Sequence, residues 1–193
     1  MAKQEVISVN ASCRILGIDP GTNVMGYAIL DTVGKKSEVV CLDVLKMKTG
    51  EDHTAKLKTI FDGVSEIVST YHPQVLAIEE PFYGKNVQSM LKLGRAQGVA
   101  MAACLRYGLP VFEYTPRRVK QAITGNGNAA KEQVAAMLLN LYPDLEQPSY
   151  FDATDALAIA FCHHLQASNP IFQNPKVSGW KSFLTQNNDR IIK

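Results

Sequence analysis

The sequence predicts an α/β fold: a five-stranded mixed sheet, built from a three-strand antiparallel meander plus parallel strands and flanked by helices. Three observations carry this. Three strand-like runs follow one another between residues 13 and 47 with only short links, the spacing of a meander. A long segment of helical periodicity then separates the third run from a fourth, and such a strand–helix–strand crossover lets the fourth pair parallel to the first. Beyond it, helical segments alternate with one more short strand.

Taken in order, residues 13–19 read as a buried strand, because Ile15, Leu16 and Ile18 leave no polar face until Asp19. Pro20-Gly21-Thr22-Asn23 supplies a turn. Residues 24–31 and 37–47 make the second and third strands, with Gly34-Lys35-Lys36 as the hairpin turn. Over 54–71, Leu57, Ile60, Phe61, Val64, Ile67 and Val68 form one helical stripe, which His72-Pro73 stops. A strand then ends at Glu79. A long helix over 87–107 has Asn86 as N-cap and Gly108 as its stop. Its Gly94, Ala96, Gly98, Ala100, Ala102 and Ala103 are small enough for another backbone to approach. Residues 110–114 form the fifth strand, and Thr115-Pro116 opens a helix ending near Gly125. Gly125-Asn126-Gly127-Asn128 is expected to be a flexible loop feeding a helix over 130–142. The last helix spans 151–166. The expected organisation is an N-terminal extension (1–12), one domain (13–167) and a polar, basic tail (168–193).

At 193 residues, 46% hydrophobic and 20% charged, the chain has the makings of one ordinary core. Residues 1–12 are polar and lack the apolar centre of a secretory signal, and no run approaches the length of a membrane span. Cys13, Cys41, Cys104 and Cys162 form no CxxC pair and read as buried thiols of a cytosolic protein, so zinc is not expected. Net charge is only +2, but between Lys85 and Lys131 eight basic residues face one acid, Glu113. That excess suits a phosphate backbone; a solvated surface is the ordinary alternative.

Four carboxylates point to the chemistry. Asp19 and Glu79 each end an apolar strand, and the two strands end on the same edge of the predicted sheet. Asp152 and Asp155 share one face of the last helix, i to i+3, and are expected in its first turn. Each has a plain explanation: a turn residue, a salt-bridged strand end, two acids favoured by a helix dipole. Together they suggest a shared counter-charge, because an acid at a buried strand end is costly to desolvate alone. A hard divalent cation such as Mg²⁺ suits oxygen ligands. Two such ions about 4 Å apart can stabilise both the attacking and the leaving oxygen of a phosphodiester. Lys120 and Lys131 are candidates for offsetting charge on the scissile phosphate. The residues thus predict a metal-dependent nuclease.

The chain resembles the RuvC family of Holliday junction resolvases, within the RNase H-like superfamily. The residues that carry the resemblance run in the family's order over about 14–166. They begin with Gly17-Ile18-Asp19-Pro20-Gly21 and Gly26-Tyr27, then Ala77-Ile78-Glu79, Phe82, Lys85 and Asn86. Leu91-Lys92-Leu93-Gly94, Gly98-Val99-Ala100 and Pro110-Val111-Phe112-Glu113-Tyr114 follow. Val119-Lys120-Gln121, Gly125, Gly127, Lys131 and Asp152-Ala153-Thr154-Asp155-Ala156-Leu157-Ala158 complete the set.

The resemblance implies a cytoplasmic homodimer that binds a four-way DNA junction and nicks two opposed strands symmetrically, in recombination and repair. It implies Mg²⁺, with Mn²⁺ as a substitute and two ions per site, and products with 5′-phosphate and 3′-hydroxyl ends. Asp19, Glu79, Asp152 and Asp155 match the metal-binding acids, and Lys120 and Lys131 the basic catalytic residues. Phe82 matches an aromatic that stacks near the exchange point, with Tyr83, Lys85, Arg117 and Arg118 as further candidate DNA contacts. The small positions of the 87–107 helix match the dimer interface, and the RuvA–RuvB branch-migration complex is the implied partner. The N-terminal extension and the tail, with Trp180 and Phe183, have no matching motif. An actin-like ATPase, a silent junction-binding protein and a nuclease acting on RNA or another branched substrate are the rival readings.

Overall fold

Among the residues described by this computed structural model (12–80, 86–145 and 150–168), five strands and five helices form. The strands are β1 (Ser12–Asp19), β2 (Val24–Val33), β3 (Lys36–Lys46), β4 (Val75–Glu79) and β5 (Val111–Tyr114). The helices are α1 (His53–Tyr71), α2 (Val87–Arg106), α3 (Pro116–Thr124), α4 (Lys131–Leu141) and α5 (Phe151–Ala167). One sheet takes all the strands in the order β3-β2-β1-β4-β5. β1, β2 and β3 pair antiparallel; β4 pairs parallel to β1 and β5 parallel to β4. The crossover through α1 thus sets the ends of β1 and β4 beside each other, as the sequence pattern requires.

Predicted boundaries move by a residue or two, for local reasons. The β2–β3 turn is Gly34 and Lys35 alone, because Gly34 takes φ 60° and closes a two-residue connection. β2 therefore runs on to Val33, and β3 starts and ends one residue earlier than expected. α1 starts at His53 because Asp52 caps it, its Oδ1 accepting the Ala55 N–H at 2.9 Å. Asn86 and Thr115 cap α2 and α3 as predicted, accepting from the amides of Ser89 and Arg118. Asp152 lies in the first turn of α5, but Asp155 opens the second, since the helix begins at Phe151. Cys104 and Cys162 are buried, whereas Cys13 and Cys41 are half-buried; none is in a disulfide.

Side-chain alternation divides the core in two. Leu16, Ile18, Met25, Ile29, Leu76 and Ile78 face α1 and α2. Ile15, Ala28, Leu30, Val75, Ala77 and Tyr114 face α3, α4 and α5. Leu157 and Ile159 of α5 are fully buried on that second face. Burying a side chain of this kind contributes about 1.5–3 kcal/mol, which is what presses the helix onto the sheet. By the same alternation Asp19 follows Ile15 and Gly17 onto the α5 face, and Glu79 follows Val75 and Ala77.

Candidate active site

Asp19 and Glu79 stand one residue beyond the paired Ile18 and Ile78, at the ends of adjacent parallel strands, and both sides of the pairing point them toward α5. Two carboxylates so placed resist ionisation. Burial pushes Asp19 up to about 8, helped by the charges of Glu79, Asp155 and Asp152 and opposed by Lys131. Burial likewise lifts Glu79 to about 7, with Asp155 adding to the rise and Lys131 and Lys120 opposing it. The four acids therefore share one electrostatic neighbourhood, although they come from three distant parts of the chain.

The closeness of α5 to the strands rests on two glycines. Gly26 lies opposite Asp19 across the β1–β2 pairing. A Cβ there would overlap the Asp152 carbonyl and come within 2.9 Å of the Ala153 nitrogen. At Gly17 a Cβ would overlap the Ala156 carbonyl oxygen and come within 2.9 Å of the Ala160 Cβ. The helix lies on bare backbone, its Ala153, Ala156 and Ala160 buried against the sheet. This is how Asp152 and Asp155 come down over the strand ends. Gly17 and Gly26 were visible in the sequence as motif residues, but their spacing role was not.

The basic residues divide. Lys131 opens α4, and its Nζ lies 2.5 Å from Asp155 Oδ2. Burial alone would lower its pKa, but the hydrogen bond to Asp155 and the charges of Asp155, Asp19 and Glu79 raise it. Lys120, half-buried on α3, is near enough to act on Glu79. Arg117 is exposed on α3 and packs over Gly127, where a Cβ would meet its Cγ at 2.6 Å. Arg118 is turned the other way, bonded to Gln166 and lying over the Tyr114 ring at 5.8 Å. Phe82, Tyr83 and Lys85 lie outside the described residues.

The loop before α4, expected to be flexible, is tied down. The Gln121 amide donates to the Gly125 carbonyl at 2.6 Å and accepts from the Gly127 N–H at 3.0 Å. The Asn126 side chain accepts from the Asn128 N–H at 3.0 Å. The loop thereby delivers Lys131 to the acids in a defined place.

The donor set suits a hard divalent cation: four carboxylates, two of them held against ionisation and only partly offset by lysine. Among the described residues no three of these groups already enclose a common point. Lys131 pairs directly with one of the four acids, Asp155. Among the described residues no helix is long and apolar enough to cross a membrane.

Residues 15–163 match the family described as crossover junction endodeoxyribonuclease RuvC. A protein of that description from Bacteroides fragilis is 49% identical over 179 residues, covering 92% of this chain and 95% of its own. One from Christiangramia forsetii is 48% identical over 192 residues, covering 99% and 100%. Among solved structures, T. thermophilus RuvC in complex with a Holliday junction substrate superposes with a TM-score of 0.75 at 32% identity, covering 81% of this chain and 95% of that one. The matched stretch contains both strand ends, both lysines and the acidic face of α5, and the chain belongs to the RuvC family of crossover junction endodeoxyribonucleases.

Proposed function

We propose that this protein resolves four-way DNA junctions by metal-dependent hydrolysis of two opposed phosphodiesters, leaving 5′-phosphate and 3′-hydroxyl ends. The observation that carries the reading is the convergence of Asp19 and Glu79 with the Asp152–Asp155 face of α5, in a chain whose relatives are crossover junction endodeoxyribonucleases. Asp19, Glu79, Asp152 and Asp155 would hold Mg²⁺, or Mn²⁺ in its place, as two ions. Such ions, when bound, make water a nucleophile at neutral pH and neutralise charge that develops on the phosphate.

The chain's own residues do the rest. The acids would hold the ions at the strand edge over which the start of α5 lies. Lys131 and Lys120 place positive charge beside the acids, where a phosphate oxygen gains charge during cleavage. Phe82, Tyr83, Lys85, Arg117 and Arg118 are proposed contacts to the junction arms, with Phe82 stacking on a base. The protein works as a homodimer through α2. Gly94 and Gly98 open onto free space there, and Val87, Leu91 and Leu105 are exposed, which supports a subunit contact along that helix. We place it in the cytoplasm, working with the RuvA–RuvB branch-migration complex, its nuclease domain spanning 13–167 between the N-terminal extension and the basic tail.

The test is cleavage of an end-labelled mobile four-way junction beside a linear duplex, in Mg²⁺ and in EDTA. Paired, symmetric nicks in the junction alone, lost in EDTA, are expected. Binding without nicking in Mg²⁺ or Mn²⁺ would overturn the nuclease reading and leave a junction-binding protein.

A further inference from the structure

The buried stripe of α2 runs Ala96, Gln97, Ala100, Ala103, Cys104, and its one amide is conspicuous among small apolar side chains. Gln97 is 5% exposed. Its Nε2 donates to the Glu79 backbone carbonyl at 3.0 Å and to Glu113 Oε1 at 2.9 Å. Both amide hydrogens are therefore spent, one of them on the residue that carries an acid of the site.

The strand pairing explains why that carbonyl needs an outside donor. In β4 the even-numbered residues bond toward β5: the Leu76 N–H donates to the Pro110 carbonyl and the Glu80 N–H to the Tyr114 carbonyl, each at 2.9 Å. Odd-numbered residues, Glu79 among them, turn toward β1. With Ile18 opposite Ile78, the amide due to the Glu79 carbonyl is that of residue 20. Residue 20 is a proline and has no N–H. Gln97 reaches in from the α1–α2 face and supplies the missing donor. The peptide between Glu79 and Glu80 is then held at both polar atoms, its N–H by Tyr114 and its carbonyl by Gln97.

We propose that Gln97 is a positioning residue: it replaces the donor that Pro20 withholds, fixes the final peptide of β4, and so aims the Glu79 carboxylate at the metal-binding acids. This rests on the metal-dependent reading above. Groups that orient metal ligands typically change metal affinity or activity by about 10–100-fold when removed.

The experiment is calorimetric titration of Mn²⁺ into the DNA-free protein, beside junction cleavage at varied Mn²⁺. Gln97→Met, which keeps the reach and loses both donors, is expected to weaken Mn²⁺ binding on the order of tenfold and to raise the Mn²⁺ needed for half-maximal cleavage by the same factor. Glu113→Ala, which leaves the bond to Glu79, is expected to keep native Mn²⁺ affinity. Pro20→Ala restores an N–H at residue 20, and in the double variant with Gln97→Met it is expected to recover most of the lost affinity. Should Gln97→Met alone fail to fold, the double variant carries the test, and weak Mn²⁺ binding by that folded protein overturns the proposal. Native Mn²⁺ affinity in Gln97→Met, with only a lower melting temperature, overturns it as well. A native protein that takes up no Mn²⁺ overturns the metal-dependent reading and this proposal together, an outcome distinct from the other two.

Discussion

Replacing Gly26 by alanine tests how the site is assembled. The added Cβ overlaps the carbonyl of Asp152 and sits 2.9 Å from the Ala153 nitrogen. All of these are backbone atoms, so no change of rotamer relieves the clash. Real Cβ atoms do not approach other heavy atoms closer than 3.0 Å, and clearing the overlap lifts the start of α5 from β2 by about 1 Å. Overpacking of this kind costs about 1–3 kcal/mol, less than the stability of an ordinary domain, so the variant stays folded. The chemistry is less tolerant, because a misplacement of about 1 Å can slow a reaction on the order of 10²-fold. Single-turnover cleavage of a labelled junction at saturating Mg²⁺, read beside urea unfolding and junction binding in EDTA, separates the two effects. We expect cleavage to fall on that scale, a modest loss of stability and unchanged binding. Gly17→Ala should behave alike, since its Cβ overlaps the Ala156 carbonyl oxygen under the next turn. Gly26→Ala protein that cleaves at the native rate would refute the idea that bare backbone sets the height of the acidic face.

Three further outcomes are expected. Asp152→Asn removes charge and little volume, so it should abolish cleavage in Mg²⁺ and leave junction binding in EDTA intact; normal cutting would take Asp152 out of the site. Lys131→Met should slow single-turnover cleavage on the order of 10²-fold. It should shift the unfolding midpoint little, because the lysine is 63% exposed in its ion pair with Asp155 and such pairs contribute at most about 1 kcal/mol. His163 gives a pH signature of folding. Burial, then the charge of His164, lowers it to about 4 from 6.5, while Tyr114 Oη sits 2.6 Å from its Nδ1. The unfolded chain binds the proton first, so this contribution is complete above 6.5 and is lost as pH falls toward 4, roughly 3 kcal/mol in all. Urea unfolding of His163→Phe between those limits should show a shallower pH dependence than the native protein; parallel curves would mean the imidazole is not held neutral.

Much of this was legible in the sequence because it is local. Continuous apolar runs in 13–19 and 75–79 give both strands and put an acid at the end of each. The helical stripe from Leu57 to Val68 gives the crossover that makes those strands parallel neighbours. The spacing of Asp152 and Asp155 puts them on one face whichever turn they occupy, so that shared face is unaffected by the one-turn correction for Asp155. Caps at Asn86 and Thr115 were readable for the same reason, as each is decided within three residues of the helix start.

What only the tertiary structure decided are distances between segments far apart in the chain. Gly17 and Gly26 look like any strand glycines until α5, more than a hundred residues later, is seen lying where their side chains would be. The rise of Asp19 to about 8 and Glu79 to about 7 comes from burial and crowding that no single segment contains. The tie between Gln97 and the Glu79 carbonyl depends on the pairing register, which makes a proline the neighbour that has nothing to donate. The amino-acid sequence by itself determined which groups are present, which of them end a strand and which share a helix face, because those follow from local pattern and backbone periodicity. How close the groups stand, and therefore how strongly they repel, pair or hold an ion, was decided by packing, because Coulomb energy and steric contact depend on separation through space and not along the chain.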